Sequence, residues 1–595
     1  MNNNDRINLI KRISEIEGLT DKERSSLLEL IRGTQTYGLV WEDKPEAIED
    51  RLKEELPILT EITKYAITNE NIDSPNHFII EGDNLVALTT LAYTHAGKID
   101  VIYIDPPYNT GNKDFIYNDS FVDKEDSYRH SKWLSFMSRR LKMAKKLLSE
   151  DGVIFISIDD NEQAQLKLLC DNIFKSKNLA AQFVWKKKQG GGNDSNNIVT
   201  EHEYILCYLS NPNADIIGLD KSYKLDDKLY PFSDEKGDYG LVTLDKASIQ
   251  ISQSLIYEIK GPNGESYYPR IVKGKQSCWR WSKTKVKEQY NELVFKNGKV
   301  YTKYYRPEGV TPKSLLVDIA YGRTESGNDD IKEIFGTKPF AYPKPISLIK
   351  HFISIIKKKD IKVLDFFAGS GTTLHAVMKL NSEDEGKREC ILVTNNENNI
   401  CESVTYERNK RVITGYTNPK GEKIQGLSNN NLRYYTTNFI SRNRTITNMR
   451  RLVSLSTDML CIKENLFTEQ TKFGEQKTYK NIFRYFDDGK KQMLVIYREE
   501  AIDELVNIIY EMEIETPLKV YVFSPSEDPW EGSFEDVLDK VELCALPQAI
   551  YNTYRRILPK KKDAFTNPEE DVYEQGEEQE EADAMLHFID EGEES

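Results

Sequence analysis

Two short strings in this chain hold residue types that could carry out a reaction. The first is Asp105-Pro106-Pro107-Tyr108, directly after the apolar run VIYI. Two successive prolines fix φ and restrict the residue before them, so the turn is stiff. Such a turn can present one carboxylate and one backbone carbonyl as adjacent acceptors. An exocyclic amine on a base offers two N–H donors, which matches that pair in number. Tyr108 adds a π-face on which a base could stack. The bland alternative is a surface turn that contains Pro-Pro. The second string is Asp365-Phe366-Phe367-Ala368-Gly369-Ser370-Gly371-Thr372-Thr373, which follows KVL and opens a helical pattern. Its glycines allow a ligand to approach the backbone closely. The third glycine position of the dinucleotide fingerprint is Leu374, and no Walker A pattern occurs, so phosphate cradling is not the favoured use.

The elements around these strings decide where they sit. HFII, VIYID, VIFISID, KVLD and ILVTN read as short buried strands, separated by the helical patterns of GDNLVALTTLA, WLSFMSRRLKMAKKLL and QAQLKLLCDNIF. Alternating β and α elements predict a parallel sheet covered by helices, an α/β fold. Ligands in such sheets sit at the carboxyl ends of the strands. Asp105 then lies at the active edge.

The rest of the chain divides by pattern. Residues 1–70 read as helical, with Leu9, Ile13 and Ile16 at helical spacing. Residues 71–189 and 336–435 form the two halves of the α/β core. Residues 190–335 are irregular and rich in Tyr, Lys, Gly and Pro, as expected of an inserted domain. Residues 436–565 carry MLVIY and VYVFS and predict a C-terminal α/β domain. Residues 566–595 are acidic, low in complexity and expected to be disordered.

Composition narrows the class. The 595 residues are 39% hydrophobic, enough for several cores, and no apolar run approaches the roughly 20 residues that span a bilayer. MNNNDRINLIKRISEIEG lacks a signal-peptide stretch, so a cytoplasmic protein without membrane contact is expected. The seven cysteines form no C-x-x-C pair and only seven histidines are present, so no metal site is predicted. The net charge of −15 argues against a nucleic-acid partner, but thirteen of the carboxylates fall in Glu569–Ser595 without a Lys or Arg. The remainder is close to neutral, and local basic runs then matter. Lys186, Lys187 and Lys188 form one, beside Trp185; Arg280 lies in another, between Trp279 and Trp281. These are candidate nucleic-acid contacts that could trace a phosphate-binding path; the alternatives are solvated faces for the lysines and core positions for the tryptophans. No helicase or nuclease constellation is evident.

At this point the chain resembles a family. DPPY with DFFAGSGTT is similar to the S-adenosyl-L-methionine-dependent DNA amino-methyltransferases. DPPY precedes the glycine-rich string with an insert between them, which resembles the β group of these enzymes. GDNLVAL, YNDSF, HSKWLSFM, GVIFISIDDNE, EHEYILCY, WRWS, YPKPISLI, TNNENNI and ALPQAIYNTYRRILP resemble segments of Mod, the modification subunit of Type III restriction–modification systems. The resemblance spans roughly residues 75–560.

It implies a Rossmann-like methyltransferase core, a target-recognition insert and S-adenosyl-L-methionine as cofactor. It also implies transfer of a methyl group to N6 of a flipped adenine in double-stranded DNA. A serine in the first position of the tetrapeptide would instead favour cytosine N4. Asp105 and the Pro106 carbonyl would accept from the amine, and Tyr108 would stack on the base, with Pro107 completing the catalytic turn. Asp365, Phe367, Ala368, Gly369, Ser370, Gly371 and Thr372 would line the cofactor. Lys344 would lie near the cofactor carboxylate, or simply in a loop before a helix. Asp83 would lie near its adenine, or serve as a helix N-cap. Glu397 would bind its ribose, with Asn395 and Asn396 as neighbouring candidates. A Mod homodimer and a Res helicase–nuclease partner follow from the same resemblance, with residues 436–565 as an association domain. A stand-alone or phage-defence DNA methyltransferase, and an inactive DNA-recognition subunit, are the alternatives.

Overall fold

The computed structural model describes residues 39–558 apart from 70, 72, 113, 119, 191–197, 224, 247–250, 273, 515 and 527. The chain divides into two compact units. One comprises residues up to 216, 313–353 and from 358 onward; the other comprises 217–312 and 354–357.

The first unit is built on a ten-stranded sheet. In chain order its strands are β1 (Glu55–Glu61), β2 (Asn76–Glu81), β3 (Ile99–Ile104), β4 (Leu148–Ile158), β5 (Leu179–Lys186), β6 (His202–Leu209), β7 (Leu315–Leu316), β8 (Lys362–Asp365), β9 (Glu389–Thr394) and β10 (Asn431–Ser441). Their order across the sheet is β1-β10-β2-β9-β8-β3-β4-β6-β5-β7. From β10 to β4 all neighbours are parallel, whereas β1 and β6 run against their neighbours. β3, and β4 from Gly152 onward, are almost wholly buried, as their Ile, Val, Tyr and Phe runs require of a sheet covered on both faces. Helices α1 (Ala47–Glu54), α2 (Asn84–Thr94), α3 (Arg129–Leu147), α4 (Ile346–Ser354), α5 (Thr372–Asp384) and α6 (Glu407–Thr414) belong to the same framework.

The connection from β3 leads through α3 to β4 on one side, and that from β8 leads through α5 to β9 on the other. The β3–β8 pair, in register at Val101↔Val363 and Ile102↔Leu364, is therefore the point where the sheet order reverses. In an open α/β sheet the binding crevice lies at the carboxyl ends of such a pair.

Several predicted boundaries move. Within the expected N-terminal helical region, residues 1–38 lie outside the described residues. Of the remainder, only Ala47–Glu54 is α-helical, and Glu55–Glu61 is a strand paired with β10. The expected insert, 190–335, is larger than the second unit, because HEYILCYL at 202–209 and Leu315–Leu316 are strands of the main sheet. β10 crosses the expected boundary at 435 and remains in that sheet. The C-terminal region does carry its own five-stranded sheet, from Glu469–Gln470 to Val541–Leu546. Its helices share a core with the framework: Leu452, Leu460, Ile550 and Tyr554 pack in one apolar cluster with Ile80, Leu88 and Leu91. The acidic segment 566–595 lies outside the described residues.

The second unit contains an antiparallel sheet ordered Leu293–Lys296, Lys299–Tyr305, Gly237–Thr243 and Phe232–Asp234. Its core gathers Leu244, Tyr257, Ile259, Trp279, Val286, Leu293 and Val300.

A buried ion pair ties the first described helix to the framework. Arg140 on α3 is fully buried and donates to both Glu46 oxygens at 2.8 and 2.9 Å, and to Asp83 at 3.3 Å. Removing one partner of such a pair leaves an uncompensated charge, at a cost of about 3–5 kcal/mol. Asp83 retains part of the compensation here, so Glu46→Ala is expected to lose about 3 kcal/mol. A urea midpoint matching wild type would refute that weight for the pair.

Candidate active site

The carboxyl ends of β3 and β8 hold Asp105 and Asp365. A cavity of about 230 Å³ opens between them. Its walls include Tyr103 and Asp105, residues Phe340 to Lys344 apart from Ala341, and Asp365 with Phe367, Ala368, Gly369, Ser370, Thr372 and Thr373. Thr394, Asn395 and Ile400 close the far side. Asp105 of the first string and most of the second, far apart in sequence, thus line one space.

The Asp105 turn is braced from behind. Trp133, fully buried on α3, donates its indole N–H to the Pro107 carbonyl at 2.7 Å. Asn109 takes a left-handed backbone (φ 58°) and donates to Glu162 at 2.5 Å. His130 shares that carboxylate at 2.6 Å. Among the described residues, the Pro106 carbonyl accepts no hydrogen bond. It remains available as an acceptor beside Asp105.

The Asp105 side chain sits in a cluster of two acids and two lysines. Lys344 Nζ donates to both Asp105 oxygens at 2.8 Å and to the Tyr108 hydroxyl at 2.8 Å. Tyr108 lies 2.8 Å from Asp105 and 3.1 Å from Glu203. Glu203 Oε2 is 3.4 Å from Lys344, and Glu203 Oε1 accepts from Lys187 at 3.0 Å. Burial works against the Lys344 ammonium, but Asp105 and then Glu203 outweigh it and hold its pKa above the ordinary range. Burial likewise opposes the Glu203 carboxylate, and Lys344 and Lys187 reverse that effect, so its pKa falls below the usual value. Burial, reinforced by Asp105 and Glu203, pushes the Tyr108 phenol far up, so it stays protonated.

The glycine-rich loop is held from the opposite side. Thr405 donates to the Gly369 carbonyl at 2.6 Å, and Asn409 to the Gly371 carbonyl at 3.3 Å. The buried Arg408 reaches Ser370 Oγ at 3.0 Å and Thr372 Oγ1 at 2.7 Å. Gly371 has φ +73°, and a Cβ there would lie 2.5 Å from Asn409 Nδ2. A Cβ on Gly369 would lie 3.0 Å from the Phe340 ring. Any side chain at these positions would crowd the cradle or strain the turn. Asp365 is 3% exposed and accepts from Phe367 N at 3.0 Å and Thr373 Oγ1 at 2.6 Å. Burial nevertheless raises its pKa from 3.8 to about 7.

Other expected residues fall elsewhere. Asp83 is the N-cap of α2, accepting from Leu85 N and Val86 N, and it does not line the cavity. Glu397 lies in an exposed 3₁₀ turn, whereas its neighbour Asn395 lines the cavity. Trp185, expected at a DNA surface, is 1% exposed and donates to the Gly322 carbonyl at 3.1 Å. The strand's alternation turns Trp185 inward together with Phe183. Lys186 pairs with Glu201 at 3.5 Å, Lys187 joins the cluster around Asp105 through Glu203, and Lys188 is exposed. In the second unit Arg280 is exposed and donates to the Thr243 carbonyl at 2.7 Å. Sequence reading assigned no role to Glu203, Arg408 or Phe340. An acid inside the apolar strand HEYILCYL was the available signal for Glu203.

The family described as DNA methylase matches residues 99–418. The EcoPI Mod subunit of a Type III restriction–modification enzyme from Escherichia phage P1 is 34% identical over 438 residues, 63% of this chain and 67% of that one. The Type II methyltransferase M.KpnI of Klebsiella pneumoniae is 36% identical over 364 residues, 58% of this chain and 87% of that one. The EcoP15I Mod subunit of Escherichia coli is 32% identical over 446 residues, 62% and 67% of the two chains.

Because Asp365 holds its proton more tightly folded than unfolded, its contribution to stability is lost as pH rises from about 4 to about 7, and then levels off. Asp365→Asn removes that dependence. The variant is expected to gain stability relative to wild type across this window. Parallel curves of urea midpoint against pH for the two proteins would contradict a protonated Asp365.

Proposed function

This chain belongs to the DNA methylase family, and from that premise we propose that it methylates N6 of adenine in double-stranded DNA as the modification subunit of a Type III restriction–modification system. The observation that carries the reading is the shared cavity: an acidic turn suited to an amine and a glycine-rich cradle face the same space.

The cradle suits S-adenosyl-L-methionine, which supplies a methyl group on a sulfonium sulfur. Gly369 lines the cavity with the Phe340 and Phe367 rings, which suit the methionine portion and its cationic sulfur. Asp365 orders that loop by accepting from Phe367 N and Thr373.

On the amine side, Asp105 and the Pro106 carbonyl accept the two N–H groups of the base. An aromatic amine is a poor nucleophile because its lone pair is delocalised. Two acceptors draw the nitrogen toward a tetrahedral shape and localise that pair. As the N–C bond forms and the S–C bond breaks, positive charge appears on nitrogen, beside a fixed carboxylate and carbonyl dipole. Asp105 then takes the proton the methylated nitrogen must lose. Fixing both reactants in line supplies much of the remaining acceleration.

The base must leave the duplex to reach Asp105, at a cost of a few kcal/mol. Stacking on Tyr108 offsets part of it. The second unit, with its exposed Arg280, is the natural reader of the surrounding sequence. Lys188 is a candidate phosphate contact. The chain's own described residues offer methylation chemistry, so cleavage falls to a Res-type helicase–nuclease partner. Residues 436–558 are the proposed association surface for a second Mod copy.

Asp105→Ala should abolish N6-methyladenine formation in plasmid DNA while leaving cofactor affinity within about threefold of wild type. Nucleoside mass spectrometry and calorimetric titration read the two quantities. Near-normal turnover in this variant would sink the assignment, and N4-methylcytosine from wild type would overturn the choice of base.

A further inference from the structure

Lys344 occupies the carboxylate that the reaction requires. Its ammonium bonds both oxygens of Asp105 at 2.8 Å, the same acceptors an incoming amine must use. While it stays there, it competes for those oxygens. It also places a full positive charge beside the nitrogen on which positive charge develops, and the repulsion is strong at such short range. A second carboxylate stands ready for it. Glu203 Oε2 lies 3.4 Å from the same Nζ, and a small rotation of the long lysine side chain closes that gap.

Glu203 is built to receive the charge. Lys187 holds Oε1 at 3.0 Å, which aims Oε2 at Lys344 and fixes the carboxylate on β6. The Tyr108 hydroxyl bridges the two acids, at 2.8 Å from Asp105 and 3.1 Å from Glu203, and carries a single proton that can serve either. Two acids and two lysines balance in charge, so transfer of the ammonium from one acid to the other leaves no buried excess.

We propose that Glu203 is a positioning residue that draws the Lys344 ammonium off Asp105 when a substrate amine enters. The inference rests on the methylation reading above. Asp105 then acts as an unmasked carboxylate only when both lysines pair with Glu203. Lys344 is at once the guard of the acid and the group whose departure activates it.

The test compares turnover of wild type, E203Q and E203Q/K344M, each with saturating S-adenosyl-L-methionine and plasmid DNA. E203Q removes the receiving charge but keeps the shape. Its kcat should fall about 10- to 100-fold, with KM for DNA and cofactor affinity changed less than about threefold. Removing the ammonium as well should restore part of the lost rate, so E203Q/K344M should turn over faster than E203Q. A purely structural role for Glu203 predicts no such recovery. E203D keeps a buried charge at a longer reach, so E203D against E203D/K344M gives the same comparison if E203Q does not fold. Wild-type turnover by E203Q, or a double variant no faster than its parent, overturns the proposal. A wild-type protein that makes no methylated base denies the methylation reading itself, which is a separate result.

Discussion

The pairing of β3 with β8 is the constraint on which the site depends. Val101 lies beside Val363 and Ile102 beside Leu364, so two segments distant in sequence end side by side. Each strand delivers an aspartate to the same edge, and the chain departs from the two ends in opposite directions. The crevice follows from that divergence, and the loop before α4 and Ile349 on α4 supply part of its wall. Everything else at the site is bracing. Trp133 and Glu162 stiffen one turn, and Thr405, Arg408 and Asn409 stiffen the other.

The bracing also explains the electrostatics. Asp105 stays at the rim, where Lys344 reaches it, whereas Asp365 is enclosed and satisfied by neutral donors. Two carboxylates on adjacent strands therefore have different characters. One is held in an ion cluster, and the other is poised near neutrality at ordinary pH. Their division of labour comes from burial and partners rather than from residue type.

Much of this was legible in the sequence, and the failures have physical causes. The apolar runs before Asp105 and Asp365 fixed both as strand ends, and the glycines marked the close approach. Trp185 was misplaced because a basic run follows it. Strand alternation, already visible in FVWK, turns it into the core with Phe183. Asp83 offered two readings, and its hydrogen bonds to Leu85 N and Val86 N make it a cap. The second unit is narrower than the expected insert because β6 and β7 belong to the main sheet, and β7, with two residues, leaves no periodic trace. Glu203 acquires its role only through a lysine on a distant loop, and no local pattern records that meeting.

The second unit closes on itself where it begins and ends. Asp220 and Val310 exchange backbone hydrogen bonds at 2.7 and 3.0 Å, so the excursion leaves and returns through a clasp of its own making. A segment fastened this way can vary in length and sequence without disturbing the strand order that aligns the two aspartates. On the proposed reading, the residues that would set the address are kept apart from those that would carry the reaction.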